Sequence, residues 1–190
     1  MRKRTNTVLL LALILVLAAT AGVTLAFMFK KAGADNQFTP AQVTCQVTEK
    51  LDNKTYTQGS HTGHAKSDIR VENTGNVPAF LRLRLVSYWV DGDGQVVGLP
   101  SQMPELTVDT SRWIPGGDST YYYAVPVAPG ERTAPLCSHV IRLAESKDRA
   151  DNTIYQVLDV FAEAIQAAPE EAVTQSWQVT LTDGVITAAP

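Results

Sequence analysis

Two alternating stretches on either side of a short turn, between Asp68 and Val90, constrain the fold most strongly. Apolar residues alternate with polar or charged residues along both stretches, which is the pattern of a strand with one buried face. The apolar positions are Ile69, Val71, Leu81, Leu83 and Leu85. Between the stretches, Asn73–Asn76 contains Asn and Gly, which tolerate the backbone angles of turns. We therefore predict a β-hairpin whose apolar face is covered by a second sheet.

Similar runs recur along the rest of the chain and are separated by turns rich in Gly, Pro and Asp. The predicted strands are residues 38–49, 119–127, 133–143 and 155–165. Asp91–Gly94 is typical of a tight hairpin turn, residues 51–66 predict a polar loop, residues 169–177 predict a short helix, and residues 178–190 predict an edge strand. The pattern indicates an all-β fold, a jelly-roll or immunoglobulin-like β-sandwich over residues 38–190.

A basic N-terminus precedes an uncharged apolar run, Val8–Phe29, which is the layout of a secretory signal. Small residues favour cleavage between Ala26 and Phe27, so that residues 1–26 would be the signal peptide and residues 27–37 a spacer. The same run is long enough to remain as an uncleaved membrane anchor helix that ends near residue 29. Either alternative places the β domain outside the cytoplasm, with membrane contact only through the N-terminal segment.

The charge balance limits the partners of this domain. The formal net charge is −3, and the charged residues of the first 26 positions are all basic, so the remainder is more acidic than the whole chain. The acidic remainder contains no cluster of Lys and Arg. Nucleic acid and anionic lipid are therefore not expected as partners.

Two cysteines, Cys45 and Cys137, are the whole complement of the chain. Their separation does not match a metal-type cluster or a C-x-x-C pair. In an exported protein they are a possible disulfide that closes a long loop, worth roughly 4–5 kcal/mol in the chain-entropy model. The alternative is two separate buried thiols.

Several segments resemble a family of exported Gram-positive proteins, the TasA/camelysin group. These segments are the N-terminal run to Leu25–Phe29, which resembles a SipW-type signal peptide, Val71–Arg82, Tyr121–Tyr123, Pro129–Thr133, Phe161–Gln166 and Trp177. The resemblance implies a β-sandwich at the cell surface or in a biofilm matrix. It also implies fibre assembly in which the N-terminal strand of one subunit completes the sheet of the next. The candidate donor here is Phe27–Phe38.

Few residues suggest chemistry. His61 and His64, with Asp68 nearby, are weak candidates for metal ligands, because an H-E-x-x-H helix is missing and solvated loop histidines are the alternative. No nucleophile motif or cofactor motif is present. Aromatic residues occur at Trp89, Trp113 and Tyr121–Tyr123. They suggest a carbohydrate-binding surface, or else aromatic side chains that lie half in the core and half at its rim. Arg82 and Arg84 are expected to pair with acidic residues on a neighbouring strand.

We therefore expect a non-enzymatic protein of the cell surface or extracellular matrix, without a cofactor, that acts by strand-mediated self-association or by binding another surface protein. A signal peptidase is the expected partner during export. The alternative is a membrane-anchored module that binds carbohydrate or peptide. A metal-dependent hydrolase that uses His61 and His64 is the third reading.

Overall fold

A computed structural model describes residues 40–58, 61–104, 106–137 and 141–190. The predicted signal, its cleavage site at Ala26 and Phe27, and the spacer over residues 27–37 lie outside these described residues. The elements that the structure describes are eleven strands and one helix: β1 Cys45–Gln58, β2 His61–Asn73, β3 Ala79–Val90, β4 Val96–Val97, β5 Trp113–Pro115, β6 Thr120–Tyr123, β7 Ile141–Arg142, β8 Glu145–Lys147, β9 Thr153–Gln166, α1 Glu170–Trp177, β10 Thr180–Thr182 and β11 Val185–Ala188. The all-β class predicted from the sequence is confirmed.

The first sheet, sheet I, has the strand order β1-β2-β7 and is antiparallel. A further segment runs along β2, where Thr133 and Leu136 donate main-chain hydrogen bonds to Val71 and Ile69. The loop predicted for residues 51–66 is wrong, because most of this stretch belongs to the long β1–β2 hairpin. Main-chain hydrogen bonds join the two arms of this hairpin, so the strands formed without the hydrophobic periodicity that usually marks them.

The hairpin predicted between Asp68 and Val90 is also wrong. Both strands form, but β2 belongs to sheet I and β3 to the second sheet, and the turn between them carries the chain across. Buried Asn73 holds this crossing: its side-chain amide donates to the carbonyl oxygens of Val77 at 2.9 Å and Val127 at 2.8 Å, and its Oδ1 accepts from the Gly75 amide at 3.0 Å. The turn chemistry was predicted correctly, whereas the strand partners were not.

The second sheet, sheet II, has the order β5-β6-β3-β9-β8, with β4 paired to the end of β3. β3 pairs with β9 along its whole length, from Ala79 opposite Gln166 to Val90 opposite Tyr155. The tight turn predicted at Asp91–Gly94 is confirmed, since Asp91 Oδ1 accepts hydrogen bonds from the amides of Asp93 and Gln95, and β4 returns beside β3.

The main core is formed by residues from both sheets. Its fully buried members include Ile69, Val71, Leu81, Leu83, Leu136 and Leu158. The predicted burial of one face of β3 is therefore confirmed. Trp113 lies in the same cluster and packs edge-on against Tyr123, with ring centroids 5.1 Å apart.

A second cluster covers the opposite face of sheet II at one end. It contains Phe80, Tyr122, Val173, Trp177, Val179 and Ile186. The predicted helix is confirmed as α1 and contributes Val173 and Trp177. The tail forms a two-stranded hairpin, β10–β11, rather than the predicted single edge strand.

Candidate functional site: an open strand edge

The unusual feature of sheet II is the edge of β9. β9 pairs with β8 only over Thr153–Tyr155, and within the described ranges no strand pairs with the rest of that edge. Alternate residues of an antiparallel strand direct their N–H and C=O groups to opposite edges. Gln156 donates to the Ala144 carbonyl on the β8 side, so the even positions face this edge. Val160, Ala162 and Ala164 therefore present main-chain donors and acceptors to the open edge.

The main core is incompletely covered beside this edge. Leu158 is 1% exposed, whereas the next core-facing side chains of β9 are only half-buried. The half-buried positions are Val160, Ala162 and Ala164 on β9, and Val43, Cys45 and Val47 on the chain leading into and along β1. Cα atoms of β1 and β9 come within 8 Å of each other, but the two strands form no ladder. We call this boundary between the two unpaired strand edges the seam.

An open cleft of about 410 Å³ lies at one end of the seam. It is lined by Val47, Glu49, Lys66, Asp159, Val160 and Phe161. Lys66 is 7% exposed, and its Nζ donates to the Leu158 carbonyl at 2.7 Å and pairs with Glu49 Oε1 at 2.9 Å. A buried ammonium needs such partners, since desolvation of an unpaired charge is costly. A side chain of sheet I therefore occupies a main-chain acceptor at the edge of sheet II.

Acidic side chains border the same region. Asp159 accepts a hydrogen bond from the Tyr88 hydroxyl at 3.0 Å, and this bond raises the pKa of Tyr88. Glu163 pairs with Arg82 at 2.7 Å, which confirms the predicted partner class for Arg82. Burial raises the pKa of the Cys45 thiol, and the negative charge of Glu163 adds to this increase. Cys45 is therefore protonated at neutral pH.

Arg82 also joins sheet II to the second cluster. Its guanidinium lies 4.8 Å from the ring centroid of Trp177 and 5.7 Å from that of Tyr122. Arg84, two positions further along β3, is exposed. The Arg82 contacts are a cation–π arrangement that holds α1 against the sheet.

The aromatic surface suggested by the sequence does not form as expected. Trp113, Tyr122 and Tyr123 are buried in the two cores, and half-buried Trp89 donates from Nε1 to the Pro100 carbonyl. Among the residues whose exposure the structure describes, the exposed aromatic side chains lie on β9, where Phe161 is 54% and Tyr155 is 41% exposed. Sequence reasoning missed them because both fall within a strand whose other face is apolar.

The two histidines proposed as metal ligands, His61 and His64, lie on β2 rather than in the predicted loop. His61 pairs with Gln58 at the start of β2, and exposed His64 accepts a hydrogen bond at its carbonyl from the Leu143 amide. The side chain of His61 lies outside the described part. Among the described residues, no group of three or more His, Cys, Asp or Glu side chains is placed to hold a metal ion.

The structure does not bring Cys45 and Cys137 together. Both side chains are thiols. Cys45 lies opposite Asn73 on β2, whereas Leu136 is hydrogen-bonded to Ile69, so the two cysteines are offset by about 15 Å along the strands. The Cα atoms of a disulfide are roughly 4.4–6.8 Å apart. A disulfide between Cys45 and Cys137, one of the two alternatives that the sequence allows, is therefore not formed in this structure.

No described helix is long and apolar enough to span a membrane. No protein-family model, curated protein or solved structure matches the chain.

Proposed function

We propose that this chain is an exported, non-enzymatic structural protein of the cell surface or extracellular matrix that associates by strand addition at the open edge of β9. The observation that carries this proposal is the run of main-chain groups at Val160, Ala162 and Ala164 that no described strand pairs with, beside a half-covered core. An added strand would satisfy the main-chain groups and bury the apolar side chains, as in β-augmentation. Because neighbouring strands lie about 4.8 Å apart, its insertion also requires β1 to move away from β9 where their Cα atoms lie within 8 Å of each other.

The proposed donor is Phe27–Phe38 of a second copy, a segment outside the described residues. It begins with Phe-Met-Phe and continues with Lys30 and Lys31. Its apolar start suits the half-covered core, and its lysines complement the carboxylate of Asp159, since Glu49 and Glu163 already pair with Lys66 and Arg82. Cleavage after Ala26 would expose this segment as the new N-terminus.

The family assignment and the finer fold belong to the same proposal. The motif resemblance supports a TasA/camelysin-like protein with a SipW-type signal, exported by a Gram-positive cell. The crossing from β2 to β3 and the core shared by both sheets support a jelly-roll or immunoglobulin-like sandwich.

Hydrogen exchange resolved at single amides tests strand addition directly. The chain beginning at Phe27 is compared as monomer and as assembly. We expect protection to rise about tenfold or more at Val160, Ala162 and Ala164. The matched controls are Phe161 and Glu163, whose amides already pair with β3 and remain protected in both states. Unchanged exchange at all three even positions would contradict the proposal.

A chain that begins at Ala41 tests the donor. This start keeps the hydrogen bonds between Gln42 and Asn76, so the domain itself is expected to fold as before. Size-exclusion chromatography with light scattering should find the shortened chain monomeric under conditions in which the chain from Phe27 assembles. Equal assembly of both chains would exclude Phe27–Phe38 as the donor.

A membrane-anchored module that binds carbohydrate or peptide is the second candidate, and the outward face of sheet II favours it. Phe161 and Tyr155 lie on this face, with Val86, 37% exposed, on the neighbouring strand. A glycan and peptide array is the test. Binding that is lost in the Phe161→Ser variant and retained in Leu51→Ser, an equally exposed position on sheet I, would support it.

A further inference from the structure

We infer that Lys66 blocks the main-chain carbonyl of Leu158, so that an added strand can pair with β9 only beyond this residue. Lys66 thereby determines the register of the added strand. This inference rests on the proposed function, because it concerns the same edge. Lys66 is thus a specificity-determining residue for the register of the added strand, and Glu49 is the residue that positions it.

Contacts with both sheets fix the position of Lys66. Its main chain lies within sheet I, opposite Leu51 of β1 and Ile141 of β7. Its side chain leaves this sheet and reaches the edge of sheet II, where the ammonium contacts the Leu158 carbonyl at 2.7 Å. Glu49, on the neighbouring strand, holds the ammonium at 2.9 Å. A main-chain acceptor of one sheet is therefore capped by a lysine from the other sheet.

This cap lies at a boundary along β9. Before Leu158, the edge is occupied by β8 and by the Ala144 carbonyl, which accepts from Gln156. After Leu158, no strand in the described part of the chain forms a ladder with the even positions from Val160 onward. Lys66 therefore stands at the junction between the paired and the open parts of the same edge.

Pairing of a new strand with Leu158 would compete with the ammonium for the same carbonyl. Displacing the ammonium would leave a buried charge with one partner fewer, at a cost that exceeds the modest net gain from one main-chain hydrogen bond. Strand addition should therefore stop at Val160. A ladder with a fixed end has one preferred register, because a shift by one residue would exchange the inward and outward side chains of the donor.

The chemistry of the cleft specifies the donor further. Glu49 neutralises Lys66, so the carboxylate of Asp159 remains to attract the incoming strand at this end. The donor of the second copy should place a lysine, Lys30 or Lys31, near Asp159, and Phe27 or Phe29 beside the small side chains of Ala162 and Ala164. This order runs antiparallel to β9.

Hydrogen exchange at the Leu158 amide tests the inference in assemblies of the chain from Phe27. Wild type and Lys66→Arg, which keeps the cation, should leave this amide at its monomer rate, while Val160, Ala162 and Ala164 are protected. In Lys66→Met, which is apolar and similar in length, we expect protection to extend to Leu158 by about tenfold.

The outcomes separate the two proposals. Protection at Leu158 already in wild type, or its absence in a folded and assembled Lys66→Met variant, overturns the role of Lys66 and leaves strand addition intact. Absence of protection at Val160, Ala162 and Ala164 overturns strand addition, and the Lys66 inference falls with it. If Lys66→Met does not fold, the wild-type Leu158 amide decides alone.

Discussion

Asn73 and Val127 lie 54 positions apart in the chain, yet the Asn73 side-chain amide donates a 2.8 Å hydrogen bond to the Val127 carbonyl. The same carbonyl accepts from the Ala79 amide, the first residue of β3. One buried side chain therefore joins the end of β2, the crossing to β3 and the segment after β6.

Asn73→Ala should destabilise the domain by about 2–3 kcal/mol, because the buried Val127 carbonyl and the part-buried Val77 carbonyl lose a donor. Urea unfolding followed by circular dichroism measures the change in the free energy of unfolding. Thr74→Ala is the matched control at the next position, where the side chain is exposed and only about 0.5 kcal/mol is expected. Equal effects of the two substitutions would show that Asn73 does not hold the crossing.

Trp177→Ala should release α1 from sheet II and lower the free energy of unfolding by about 3–5 kcal/mol. Trp177 is 6% exposed, packs edge-on against Tyr122 at 5.6 Å and lies under the Arg82 guanidinium. Limited proteolysis should then cleave within residues 167–179 before the rest of the domain. Gln175→Ala on the exposed side of the same helix should change neither measurement. Resistance of the Trp177→Ala variant to cleavage would contradict this account.

Alkylation of the folded protein should modify Cys45 before Cys137, and more slowly than a solvated cysteine at neutral pH. Cys45 is half-buried with a raised pKa, and Cys137 is buried. Glu163→Gln removes a negative charge, so the pKa of Cys45 should fall and its alkylation should accelerate. Mass spectrometry against time measures both rates, with Glu145→Gln on exposed β8 as the control. Slower alkylation of Cys45 in the Glu163→Gln variant would contradict the proposed effect of Glu163 on the pKa of Cys45.

Asp68 should contribute to the pH dependence of stability. Hydrogen bonds from Lys50 and Arg70 lower its pKa in the folded state. A lowered folded pKa stabilises the fold above the unfolded value of about 3.9, and this contribution disappears as the pH falls through the folded value.

The matched variant is Asp68→Asn, because Asp68 has a positive φ of 55° that Asn also tolerates. Unfolding at several pH values should find the variant less stable at pH 6, and the difference should shrink as the pH falls below the unfolded value of about 3.9. High salt should reduce the difference, since the group is near the surface. A difference that persists at low pH would assign the effect to the positive φ at position 68 rather than to the charge.

The sequence predicted which faces of the strands are buried but not which strands pair. Leu81, Leu83 and Leu85 lie in the core as their alternation predicts, because alternation reports burial of one face. It carries no information about the neighbouring strand, and for this reason β2 and β3 were wrongly assigned to one hairpin.

The candidate site was harder to predict for the same reason. Ala162 and Ala164 fall on the face of β9 that the alternation predicts to be buried, although the structure leaves them half-buried. An unpaired edge is a relation between distant segments and has no local signature. The Lys66 cap joins residues 92 positions apart, and a lone lysine in a polar stretch resembles any surface residue.

The pairing of β3 with β9 has a consequence for how the chain acquires its structure. Ala79 meets Gln166 and Val90 meets Tyr155, so the longest ladder of sheet II joins segments that are distant in sequence. Such nonlocal contacts make folding slow, because the closure entropy of the intervening chain must be overcome before the contacts form. During synthesis, β3 lacks this neighbour until the residues of β9 have emerged. Completion of this ladder therefore comes after the intervening strands, β4 to β8, have been synthesised.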